Sequence, residues 1–120
     1  MITLKALAGK IGAAILSHPD KAGAIEIHRV FAGNRMSELL LFATDGTLLV
    51  SNLANKHLVR VATLLEAPGI CLCEGVKPDE ALIRAATESG KVLLVSPADM
   101  AETCRRLGDS PVERLGLAKP

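Results

Sequence analysis

The sequence predicts a single-domain α/β fold, a three-layer-like arrangement around a mostly parallel sheet built from alternating strand–helix units. Three observations carry this. Strand candidates recur at 47–50, 70–73 and 92–95, apolar throughout after Thr47 and each bounded by turn residues, as expected of strands covered on both faces. Segments with apolar residues at helical spacing lie between them. Each connection is also too long for a hairpin, so parallel pairing with right-handed crossovers is the expected topology.

The organising stretch is Pro68 to Asp79. Pro68-Gly69 ends the preceding helix, since Pro lacks a donor and Gly tolerates positive φ. Ile70-Cys71-Leu72-Cys73 is a buried strand. Gly75 is expected to take the sharp backbone turn, and Pro78 the first helical position, where a missing N–H costs nothing. Asp79 and Glu80 then set negative charge against the positive end of the helix dipole.

The remaining elements follow in order. Leu4, Leu7, Ala8 and Ile11 define a first helix capped by Thr3 and stopped by Gly12. Ala13 to Leu16 is a short strand, and Ser17-His18-Pro19-Asp20 a turn. Ala24 to Phe31 is strand-like, with Ile25 and Ile27 on one face and a shift of parity at Val30 that predicts a bulge or strand end. Gly33-Asn34 opens a short helix through Phe42. A turn at Asp45-Gly46 precedes the strand at 47–50. Asn55 caps a helix from Lys56 to about Glu66, with Leu58, Val61, Ala62 and Leu65 inward. The helix from Pro78 to Glu88 turns Leu82, Ile83 and Ala86 inward and closes at Ser89-Gly90. After the strand at 91–95, Ser96-Pro97-Ala98-Asp99 predicts a capping box with Ser96 as cap. Met100, Ala101, Cys104 and Leu107 then face the core, and Gly108 stops the last helix. The domain is expected over 1–108, with 109–120 a loosely held C-terminal tail.

Composition bounds the function. At 120 residues, 49% hydrophobic and 22% charged, the chain supports one core and not a disordered segment. Without Trp or Tyr and with only Phe31 and Phe42 as aromatics, that core is aliphatic. A net charge of +1 with scattered Lys and Arg argues against a nucleic-acid partner. No apolar run approaches the roughly 18 residues of a membrane span. Lys5 and Lys10 interrupt the N-terminal apolar positions and make a poor signal peptide. Three cysteines with no CxxC fit a cytoplasmic protein with free thiols.

The residues resemble the DRTGG domain family. The likeness runs from about residue 24 to 108 and is strongest in Ile70-Cys71-Leu72-Cys73-Glu74-Gly75-Val76-Lys77-Pro78-Asp79 and the helix, strand and helix that follow. Asn34-Arg35-Met36-Ser37-Glu38 and Val59-Arg60-Val61-Ala62 match more weakly. The chain is similar also to the N-terminal, non-catalytic domain of bacterial HPr kinase. Where relatives often read Thr-Gly-Gly, this chain has Cys73-Glu74-Gly75; where stand-alone relatives often carry His and Asn, it has Asn55 and His57. The resemblance implies a non-enzymatic regulatory domain that forms a homodimer and serves a small ligand or a partner enzyme.

If the late strands are parallel, their C-terminal ends share one edge, where helix N-termini point and ligands of open α/β sheets bind. Ser51, Asn52, Asn55, His57, Glu74, Gly75, Lys77 and Ser96 would line that edge and suit a small anion or nucleotide. Each also has a structural use: Asn55 and Ser96 as caps, Gly75 in the turn, Glu74 and Lys77 in solvent. The alternative is an enzyme with His57 or Glu74 as acid/base. No nucleophile elbow, Walker loop or dinucleotide fingerprint supports it. His18 and His28 lack metal spacing, and Cys71, Cys73 and Cys104 fall short of a four-ligand zinc pattern, so no metal or cofactor is expected.

Overall fold

The computed structural model describes residues 2–35, 37, 38, 40, 45–74, 77–108 and 110–116. A six-stranded sheet has the order β2-β7-β6-β5-β4-β8, where β2 is Ala14–Ile15, β4 Arg29–Ala32, β5 Thr47–Ser51, β6 Gly69–Leu72, β7 Val92–Val95 and β8 Glu113–Gly116. All its pairings are parallel except that of β2 with β7. A two-stranded antiparallel ribbon joins β1 (Ile2–Thr3) to β3 (Glu26–Ile27). The helices are α1 (Leu4–Ile11), α2 (Pro19–Ala22), α3 (Lys56–Leu64), α4 (Glu80–Glu88) and α5 (Met100–Arg105).

The unbroken apolar runs are explained by alternation between two cores. Leu48, Val50, Cys71, Cys73, Val92 and Leu94 pack with α1 and α5 on one face. Leu49, Ile70, Leu72 and Leu93 pack with α3 and α4 on the other. With side chains alternating across each strand, both faces need apolar residues, and the sheet becomes the middle of three layers. Gly69 stands in register between Leu48 and Val92. Leu4 fills the space its missing side chain leaves, with Cδ2 3.0 Å from where a Cβ would sit.

Thr3 caps α1 through the Ala6 N–H, and Gly12 ends it at φ 71°. Asn55 caps α3 through the His57 N–H. At two other helices the cap differs from expectation. Pro78 is not the first helical residue: Asp79 is the cap of α4, and its carboxylate accepts from the Leu82 N–H at 2.8 Å. Nor does Ser96 cap α5; Asp99 does, accepting from the Glu102 N–H at 2.7 Å. A carboxylate reaching the third N–H satisfies an orphan donor and opposes the dipole at once. Ala101 is exposed, and Thr103 is buried in its place.

Three further expectations are revised. The parity shift near Val30 falls at His28 and Arg29, whose N–H groups both donate to the Gly46 carbonyl at 2.9 and 3.2 Å. One carbonyl facing two donors absorbs a residue, so β3 and β4 belong to different sheets while Ile27 and Val30 stay in one core. Residues 19–22 form a helical turn rather than an open one. Glu113–Gly116, expected in a loose tail, forms an edge strand in parallel register with β4, tied by an Arg29–Glu113 ion pair at 3.0 Å. The helix expected over 33–42 lies partly outside the described residues; Ser37, Glu38 and Leu40 within it are helical.

Candidate functional site

The parallel strands bring the ends of β5, β6 and β7 to one edge, and α3, α4 and α5 begin there. Backbone bonds knit the loops together: Cys73 N–H donates to Ser51 O at 3.0 Å, Ser96 N–H to Leu72 O at 2.7 Å, and Glu74 N–H to Ala98 O at 2.6 Å. The edge is a fixed platform.

A crevice of about 330 Å³ opens where α3 and α4 begin, lined by Ala54, Asn55, Lys56, His57, Asp79 and Ala81. Two predicted residues meet there, Asn55 and His57. The Asn55 side-chain Oδ1 accepts from the His57 N–H at 2.9 Å and leaves the His57 ring exposed. Lys56 and Asp79 complete the lining and were not predicted as site residues. In the sequence Lys56 looks like any exposed helix residue, and its place directly after the cap is the available signal. Asp79 reads there only as a charge against the helix dipole.

The other predicted residues are distributed differently. Ser51 is buried, its hydroxyl accepting from the Leu53 N–H at 3.2 Å. Asn52 is half-buried and Lys77 is exposed at the same edge, both outside the crevice lining. Glu74 is exposed and takes the left-handed conformation at φ 65°, the kind of position for which Gly75 was predicted. Gly75 itself lies outside the described residues. Ser96 has no exposed surface; its hydroxyl meets that of Thr103 at 2.8 Å and accepts from the Ala98 N–H at 3.3 Å.

Beneath this edge lie the three free thiols. Hydrogen bonding to Cys73, reinforced by burial, pushes Cys71 well above the ordinary thiol range, and the same bond holds Cys73 below it. Burial pushes Cys104 up to about 11. Among the described residues, no group of three His, Cys, Asp or Glu side chains is arranged to hold a metal ion, and no helix is long and apolar enough to cross a membrane.

No family model matches the chain, and no curated protein matches it. Among solved structures, the chain is similar to the CBS and DRTGG domains of the regulatory region of Clostridium perfringens pyrophosphatase, complexed with the activator diadenosine tetraphosphate. The TM-score is 0.70 at 15% identity, over 97% of this chain and 48% of that one, so the chain spans about half the length of that regulatory region. At such identity the likeness is one of fold. It agrees with the resemblance read from the strand–loop–helix at 70–79: this chain has a DRTGG-like α/β fold.

Proposed function

We propose that the protein is a non-enzymatic, cytoplasmic regulatory module, a homodimer that senses a small anionic ligand at the C-terminal edge of its sheet. The observation that carries this is the fold shared with a regulatory region whose solved form holds a nucleotide activator. The crevice supports it locally. The N-termini of α3 and α4 converge there beside Lys56 and His57, and both fields favour negative charge.

Asp79 narrows the ligand class. Its carboxylate accepts from the Leu82 N–H and lies in the same lining as Lys56. A bare phosphate would meet that negative charge. A ligand with a phosphate for Lys56 and a hydroxyl to donate toward Asp79 satisfies both, so a nucleotide fits better than inorganic phosphate. Of the two residues considered as acid or base, only His57 lines the crevice. The regulatory reading leaves both uncommitted to chemistry and assigns the output to a partner enzyme.

The test is a thermal-shift and calorimetric series with mono- and dinucleotides, inorganic phosphate and buffer alone. A ligand that binds only the folded state raises the melting temperature, by a stabilisation that grows as the logarithm of free ligand over Kd. Nucleotides are expected to raise it, phosphate to do so far less, and Lys56→Ala to remove the nucleotide effect. No shift with any nucleotide at about 1 mM, roughly the upper end of physiological small-molecule levels and so enough to fill even a weak site, rules the proposal out.

A further inference from the structure

The outer surface of α3 and α4 carries a second feature, distinct from the strand-edge crevice although continuous with it. A groove of about 460 Å³ runs along the seam between the two helices, lined by Lys56, Val59, Arg60, Thr63 and Leu64 on one side and Ala85, Glu88 and Ser89 on the other. Lys56 also borders the crevice; along α3 the groove runs from Lys56 to Leu64, about 12 Å at 1.5 Å per residue, and on α4 it is lined by the C-terminal end, Ala85 to Ser89. Leu64 is 76% exposed, the most exposed large hydrophobic among the described residues. Isolated exposed leucines need no explanation, but one at the lip of an apolar-floored groove is a different case.

The charges of the groove are sorted by wall: Lys56 and Arg60 stand on α3 and Glu88 on α4, Glu88 at the edge where the groove meets the other flank of α4. Arg84 borders the opposite flank of α4 and not the groove. Among the described residues, Lys56, Arg60 and Glu88 form no ion pair, although the two walls are close enough to share one cavity.

We propose that this seam receives a second copy of the chain, about a two-fold axis running along the groove. Helices α3 and α4 each link neighbouring parallel strands and pack on the same face, so they run in the same direction. An axis parallel to them lays α3 of one copy over α4 of the other. The basic wall then meets the acidic wall twice, once on each side of the axis, and both Leu64 side chains leave water. A self-complementary patch of this kind is what a two-fold interface requires, and opposed charges fix its register. The proposal rests on the homodimer reading above and adds the face that makes it.

Sedimentation equilibrium of the full chain tests it, with circular dichroism to confirm folding. The wild type is expected to be dimeric. Leu64→Glu should weaken the dimer about tenfold or more, because it would bury an unpaired carboxylate where an apolar side chain leaves water. Arg60→Glu and Glu88→Arg should each weaken it by roughly tenfold, and the double exchange should restore it, because reversed pairs are attractive again while single reversals repel. Should Leu64→Glu fail to fold, the charge series decides alone. A monomeric wild type overturns both the dimer and the seam. A dimer indifferent to Leu64→Glu and to the charge reversals overturns the seam and leaves a dimer made elsewhere.

Discussion

The hydroxyls of Ser96 and Thr103 lie 2.8 Å apart in the interior, and the serine has no exposed surface. Ser96 is the first residue after β7 and Thr103 sits in the middle of α5. The bond therefore fixes the angle at which α5 leaves the sheet. A residue expected to face a ligand instead holds the platform on which the ligand edge is built.

Ser96→Ala should accordingly cost stability and not binding. It leaves the Ala98 N–H without its side-chain acceptor and Thr103 with a weakened set of partners, a loss of about 1–2 kcal/mol. Urea denaturation measures it. An unchanged midpoint together with weaker nucleotide binding would mean that Ser96 reaches the ligand after all.

The two acidic caps make a matched pair of predictions. Asp79 and Asp99 each accept from the N–H three residues on, and replacing either with Ala should cost about 0.5–2 kcal/mol. Their functional consequences should separate. Asp79 lines the crevice, so Asp79→Ala should also alter nucleotide affinity, whereas Asp99→Ala should not. Equal effects of the two on binding would show that the crevice acts only through the fold.

Cys104 gives a pH prediction with a definite sign. Its thiol is raised from 9.0 to about 11, chiefly by burial and then by the neighbouring Cys73 charge, with Arg114 opposing. The folded state thus binds the proton more tightly than the unfolded chain does. The associated stability is fully present below pH 9.0 and is lost as pH rises toward about 11. Cys104→Ala should lower stability at neutral pH, through the lost buried sulfur, and flatten the alkaline decline. Parallel alkaline limbs for the two proteins would contradict the assignment.

How much of this was legible can be argued residue by residue. The three late strands were readable because two-sided burial forces Leu48-Leu49-Val50 and Ile70-Cys71-Leu72 to be apolar without a break. The Asn55 cap was readable because Asn has few other uses before a helical stripe. The cap at Asp79 is obscured by Pro78, which signals a helix start equally well, and the cap at Asp99 by Ser96-Pro97-Ala98. In the second case the depth of Ser96, set by α5 packing back on the sheet, decides for Asp99. Strand β8 escaped because Glu113-Arg114-Leu115-Gly116 lacks apolar alternation; its place comes from register with β4 and the Arg29–Glu113 pair, both across more than eighty residues. For the site, the edge was legible from topology, and Asn55 and His57 from the helix start. The crevice itself was not, because its far wall at Asp79 depends on the spacing of α3 and α4.

Two glycines should respond to alanine with opposite signs. Gly9 lies within α1, exposed, with nothing within 4 Å of where a Cβ would stand. Alanine there reduces the entropy of the unfolded chain at no steric cost, and Gly9→Ala should stabilise the protein by about 0.5–1 kcal/mol. Gly46 has φ 71°, and a Cβ would approach His28 Cδ2 to 2.7 Å. Its carbonyl also takes both N–H groups that divide β3 from β4, so the backbone is not free to relax. Gly46→Ala should then cost about 1–3 kcal/mol. The exposed His28 ring supplies part of that cost and the left-handed backbone the rest. A Gly46→Ala, His28→Ala double variant separates them: it should recover the steric share and retain roughly 1 kcal/mol for the backbone. Full recovery in the double variant would reduce the role of Gly46 to making room for the ring. A Gly9→Ala protein less stable than wild type would mean that the space outside α1 at this position is not open in solution.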